Sequence, residues 1–128
     1  MGTPRDLVLA IQAGVDMFDC VLPTRNARNG QALTRHGRIV IKQARWKEDP
    51  RPLDGRCACS CCAGGFSRAY LRHLYMAGEI LALRLLSEHN LHWYGELVGG
   101  ARDAISSGDF AAWAHGTLAT MEEEDGAA

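Results

Sequence analysis

Apolar positions recur with a helical period along most of the chain and with a strand-like pattern in only two places. Leu7, Ala10 and Ile11 fall on one face of a helix predicted from Asp6 to Ala13. Thr3 is placed to cap it, Pro4 suits its first turn, and Gly14 suits its end. Val15 to Phe18 is short and bulky and predicts a buried strand. A helix, a glycine and a buried strand form the αβ half of a parallel α/β unit. Ala32 to Thr34 and Arg38 to Lys42 flank a His-Gly turn and predict a hairpin. Residues 48 to 56 read as an irregular linker. From Ser67 to Glu88 the apolar Leu71, Leu74, Ile80, Leu81 and Leu85 keep one long helical period. Asn90 suits the cap of a further helix from Leu91 to about Ser107, ended by Gly108. Asp109 suits the cap of a last helix through Trp113, and MEEEDGAA reads as a frayed acidic tail. No internal repeat is visible.

A parallel strand needs neighbouring strands, and this chain offers none beyond Val15 to Phe18. The first segment therefore reads as the end of a larger α/β structure. The length, 128 residues, suits one modest domain or part of a larger one.

Charge changes the picture. The net charge is only −1, yet residues 20 to 47 hold Arg25, Arg28, Arg35, Arg38, Lys42, Arg45 and Lys47 and no Asp or Glu. Such a block fits a solvated loop surface or the footprint of a polyanion. No apolar run is long enough to span a membrane, and the start lacks a signal-peptide pattern. Asp19, which closes the apolar run before this block, reads by itself as a cap or turn residue.

The cysteines add chemistry. Cys57, Cys59, Cys61 and Cys62 crowd into six residues, a poor disulfide framework and a good metal cluster. A reducing, cytoplasmic setting follows. Cys57, Cys59 and Cys62 make C-x-C-x-x-C, and three thiolates call for a fourth donor. Cys61, His73, His89 and His92 are the candidates; crowding between adjacent cysteines argues against Cys61. A site closed by four protein donors is structural, not catalytic.

Several motifs together resemble the C-terminal part of the bacterial tRNA-guanine transglycosylases, or queuine tRNA-ribosyltransferases. They are TPRDL (Thr3 to Leu7), GVDMFDCVLPTRNARNG (Gly14 to Gly30), PLD (Pro52 to Asp54), C-x-C-x-x-C, SRAYLRHL (Ser67 to Leu74), GEIL (Gly78 to Leu81), EHNL (Glu88 to Leu91) and LVGGARDAISSGDF (Leu97 to Phe110). The resemblance covers nearly the whole chain.

It implies an α/β fold: the C-terminal end of a (β/α)8 TIM-type barrel with a zinc-binding, mostly helical subdomain. Residues 1–47 would hold the last barrel strand, nucleophile and tRNA-binding loop and hairpin, 48–118 the zinc-binding helical subdomain, and 119–128 the acidic tail. It implies a transferase that exchanges guanine at the anticodon wobble position for a queuine-type deazaguanine. Asp19 would be the nucleophile that attacks the ribose and forms an aspartyl-ribosyl intermediate, with Asp16 at most in support. Thr24, Arg25 and Arg28 would lie along the tRNA anticodon loop, where arginine can pair with phosphate or stack on a base. Arg35, Arg38, Lys42 and Arg45 would give general electrostatic support. The zinc ligands would be Cys57, Cys59, Cys62 and His89. One extra residue before Ser67 and the extra Cys61 depart from the family pattern and leave Cys61 as the alternative to Cys62. The family works as a homodimer.

A whole (β/α)8 barrel takes about 250 residues. The general acid/base aspartate and the base pocket would come from earlier strands. The isolated chain is therefore expected to lack activity, with residues 1 to 30 poorly ordered and the zinc module folding alone.

Overall fold

The computed structural model describes residues 2–122. Helix α1, Pro4–Gln12, begins with a capping box: Thr3 Oγ1 accepts from Asp6 N–H and the Asp6 carboxylate accepts from Thr3 N–H, both at 3.1 Å. Helix α2, Leu22–Arg28, leads into an antiparallel hairpin of β1, Gln31–Thr34, and β2, Gly37–Val40. A 3-10 turn, Ala44–Trp46, and an extended linker follow. Then come α3, Ser60–Ala63, α4, Arg68–Met76, α5, Ile80–Ser107, and α6, Phe110–Glu122. The acidic tail from residue 123 onward lies outside the described residues.

The frame is α5, whose 28 residues span about 42 Å. Its buried positions recur at helical spacing, and two cores form along it. Ala82, Leu85 and Leu86 join Ile39, Ile41, Trp46 and Leu53 in the first. Trp93 and Leu97 join Leu7, Val8 and Ala114 in the second. Both cores draw on residues from either side of position 47.

Five expectations change. Val15 to Phe18 is not a buried strand: it belongs to no regular element, and Val15 and Met17 are 42% and 86% exposed. An extended segment with no strand beside it leaves its backbone to water. The described residues hold one two-stranded sheet and no parallel pairing. Thr24 to Arg28 form helix α2 rather than a loop, with Pro23 at the start, where its missing N–H costs nothing. The hairpin turns at Arg35 and His36, one residue earlier than predicted. The long helical stretch breaks at Gly78, not at Asn90. Gly78 takes φ +74°, and Glu79 N–H and Gly78 N–H bond back to Leu74 and Tyr75 carbonyls at 2.9 and 3.1 Å. This left-handed stop suits glycine, and α5 runs straight through Asn90. The last helix continues past Trp113 to Glu122.

The linker at 48–56 is irregular but held. Buried Arg68 of α4 donates to the Pro52 and Leu53 carbonyls at 2.9 and 3.0 Å, pairs with Asp49 at 3.4 Å and lies over the Trp46 ring. Asp54, also buried, accepts from Arg35 N–H at 3.2 Å, the Arg35 guanidinium at 3.0 Å and Arg56 N–H at 3.0 Å.

Candidate metal centre

The cysteines arrive on a short scaffold. Cys57 N–H bonds to the Asp54 carbonyl at 3.1 Å, which turns the chain after the linker. Cys59 is the N-cap of α3, and its sulfur accepts from Cys62 N–H at 3.3 Å. Residues three apart on one helical turn share a face, so Cys59 and Cys62 point the same way. Cys61, two apart from Cys59, turns into the apolar core and is fully buried there. That geometry separates Cys62 from Cys61 as the third thiolate.

His89 supplies the fourth donor from the middle of α5. Its Nδ1 lies 3.6 Å from Cys57 Sγ and 3.4 Å from both Cys59 Sγ and Cys62 Sγ. All four donor atoms lie within 4.8 Å of one another. A tetrahedral zinc with ordinary bond lengths separates its sulfur and nitrogen donors by about 3.5 Å. The Nδ1 separations match that edge, and three thiolates with one imidazole suit zinc. His89 Nε2 donates to the Leu33 carbonyl at 3.0 Å, which fixes the tautomer and leaves the Nδ1 lone pair for a metal. Cys57, Cys59, Cys62 and His89 thus form a closed metal-binding group. His73 is exposed and stacks against Tyr70, while His92 pairs with Glu96 at 2.9 Å, so neither joins it.

The four groups share charge. Burial pushes the Cys57 thiol up, and a hydrogen bond that the Cys62 thiol donates to Cys61, together with burial, pushes Cys62 well up. Burial opposes ionisation of Cys59, but bonds from His89 and the Cys62 N–H bring it down to about 6. Burial disfavours a charged His89, yet hydrogen bonds to the three sulfurs hold it up to about 12. The pocket is built to balance negative sulfur with a cation.

The other predicted residues sit apart from this cluster. Asp19 is exposed in the extended segment between α1 and α2, beside a shallow cavity of about 360 Å³. Thr24 Oγ1 donates to the Val21 carbonyl at 3.2 Å and is half-buried. Arg25 and Arg28 are exposed one turn apart on α2, without an acidic partner among the described residues. Arg35 is not general support: it pairs with Asp54 and Glu96 and lies over the Trp93 ring. Arg45 stacks over Trp46. The sequence reading missed Asn90, which looks like a cap and is instead a fully buried link between α5, α2 and β1.

A family model described as queuine tRNA-ribosyltransferase matches residues 1–123. The chain is 71% identical over 122 residues to the queuine tRNA-ribosyltransferase of Sorangium cellulosum, covering 95% of this chain and 31% of that protein. It is 60% identical over 114 residues to that of Methylobacillus flagellatus, covering 89% and 30%. It is 54% identical over 125 residues to that of Dinoroseobacter shibae, covering 98% and 33%. The chain thus spans about a third of the length of these relatives. With a match along almost its whole length and a Cys3His group at its centre, the chain belongs to the queuine tRNA-ribosyltransferase family.

Proposed function

We propose that the chain carries the nucleophile, the RNA-contacting segment and the zinc subdomain of a cytoplasmic tRNA-guanine transglycosylase. That enzyme replaces guanine at the wobble position of a tRNA with a queuine-type deazaguanine, in queuosine biosynthesis. The rest of a (β/α)8 barrel would supply the other strands, the acid/base aspartate and the base pocket. The observation that supports this most is that Asp19 is exposed directly before α2, whose Arg25 and Arg28 are free to meet phosphate or an unstacked base.

In this reading an Asp19 carboxylate oxygen attacks C1′ of the ribose. The C1′–N9 bond breaks, and guanine leaves with a proton from the acid supplied by the barrel. An aspartyl-ribosyl ester results. The incoming deazaguanine gives its N9 proton to the conjugate base of that acid, attacks C1′ and releases the carboxylate, as water does in retaining glycosidases. Cys57, Cys59, Cys62 and His89 would hold the zinc, which would tie these segments together and, with four protein donors, would supply no chemistry to these steps. The homodimer belongs to the same reading, and Met76 and Ile80, 58% and 79% exposed, offer it an apolar contact.

The test is a graft. Residues 2–122 replace their counterpart in the full-length Sorangium protein, and uptake of labelled guanine into tRNA is measured. The graft is expected to exchange guanine, and its Asp19→Asn form is expected to lose exchange while retaining zinc. Exchange at an undiminished rate in the Asn form would refute the nucleophile. The chain by itself is expected to exchange nothing, because one carboxylate lacks both acid and pocket. A second reading is a non-catalytic zinc module that binds RNA or a partner subunit. The completeness of the metal-binding group and both cores within residues 2–122 favours it. It predicts anticodon stem-loop binding by the isolated chain that Asp19→Asn leaves unchanged, with no exchange from the graft.

A further inference from the structure

Asn90 is a polar side chain with no accessible surface in the middle of α5, next to the metal ligand His89. Packing alone does not account for it. Its carboxamide spends both donors and its acceptor on backbone groups of other elements. Oδ1 accepts from Leu33 N–H at 2.9 Å, and Nδ2 donates to the Pro23 carbonyl at 2.9 Å and the Gln31 carbonyl at 3.0 Å.

Leu33 and Gln31 lie on β1, whose one partner strand among the described residues is β2. The groups of its other edge need partners once buried. Two consecutive side chains of α5 supply them: Asn90 takes Leu33 N–H, and His89 Nε2 takes the Leu33 carbonyl at 3.0 Å. Pro23 lies in the first turn of α2, two residues before Arg25 and four after Asp19. An unbroken line therefore runs from the metal-facing Nδ1 of His89 through Leu33 and Asn90 to the first turn of α2.

We infer that Asn90 is a positioning residue that couples the metal centre to α2, so that a filled centre fixes where Arg25 and Arg28 are presented. The coupling rests on the hydrogen bonds alone; only the consequence for RNA rests on the proposed function. An apolar side chain of the same shape would leave one N–H and two carbonyls buried without this partner.

The test is amide hydrogen exchange on the zinc-loaded chain. Three samples are compared: Asn90→Leu, Leu97→Ala as a control that weakens the second core, and the unaltered chain during titration with a chelator. Asn90→Leu is expected to keep its zinc while Leu33 and the α2 amides exchange at least ~10-fold faster than in the control at matched global stability. Chelation is expected to speed the same amides before those of α6. Exchange in α2 no faster than in the control would overturn the inference. So would chelation that speeds all helices alike. If Asn90→Leu does not fold, the chelator titration decides. Affinity for an anticodon stem-loop RNA is measured on the same samples. A fall alongside the faster exchange supports both readings. Faster exchange with unchanged affinity supports the coupling and refutes the RNA role of α2.

Discussion

Replacing Asp54 with alanine is expected to destabilise the chain by about 3 kcal/mol. The carboxylate is 4% exposed and receives three hydrogen bonds at 3.0 to 3.2 Å, two from Arg35 and one from Arg56. Bonds to a charged acceptor contribute about 1.5–3 kcal/mol each when buried. Arg56 is exposed and Arg35 half-buried, so water recovers part of each, and about half of the summed value remains. Arg35 also keeps Glu96, which limits the cost of leaving its charge unpaired. For a chain of this size 3 kcal/mol corresponds to a fall of about 10 °C in Tm. Asp54→Asn keeps one acceptor but turns an amide N–H₂ toward Arg35, and should cost about 2 kcal/mol. Circular dichroism melts in excess zinc at pH 7 read both. A loss below about 1 kcal/mol for the alanine variant would refute the view that this carboxylate ties the hairpin turn to the linker before Cys57. The pH dependence has a definite sign. Burial works against the Asp54 carboxylate, but the Arg56 and Arg35 donors outweigh it and hold its pKa below the usual range. Its stabilisation is therefore complete above the unfolded value of about 4 and is lost only as pH falls through the lower folded value. The gap to Asp54→Asn should be flat from pH 7 to 5, and carboxyl NMR should place the Asp54 midpoint below about 3.9.

Three further substitutions test the centre and the turn between α2 and β1. Cys59→Ser should lose the bound zinc and the cooperative melt, whereas Cys61→Ser should keep one zinc per chain by mass spectrometry; loss of zinc from the latter alone would reverse the ligand choice. Gly30→Ala should cost about 2 kcal/mol in chemical unfolding, from a left-handed backbone and a contact with the Tyr75 ring. Gly30 holds φ +76°, and an added Cβ would meet that ring at 2.8 Å, so an unchanged midpoint would refute this packing.

Local chemistry determined much of what was legible in the sequence. Thr3 and Pro4 mark the start of α1 because capping needs only residues within one turn. The spacing of Cys57, Cys59 and Cys62 marks a metal group because one short turn brings those sulfurs to one side. The one-sided basic window foretold exposed arginines on what became α2.

Tertiary contacts decided the rest. Val15 to Phe18 has strand composition but no strand beside it among the described residues, and backbone pairing cannot be read from one segment. Arg35 looked like a free cation until folding brought Asp54 and Glu96, 19 and 61 residues away, onto its guanidinium. Asn90 looked like the N-cap of a helix from Leu91 because asparagine is favoured at that position. Packed against α2 and β1 it finds three backbone partners, the helix passes through it, and the break falls at Gly78. The C-x-C-x-x-C spacing favours Cys62, while the extra residue before Ser67 leaves Cys61 as its alternative. The placement of α3 against α5, which brings Cys62 Sγ within 3.4 Å of His89 Nδ1 and leaves Cys61 out of the metal-binding group, decides between them.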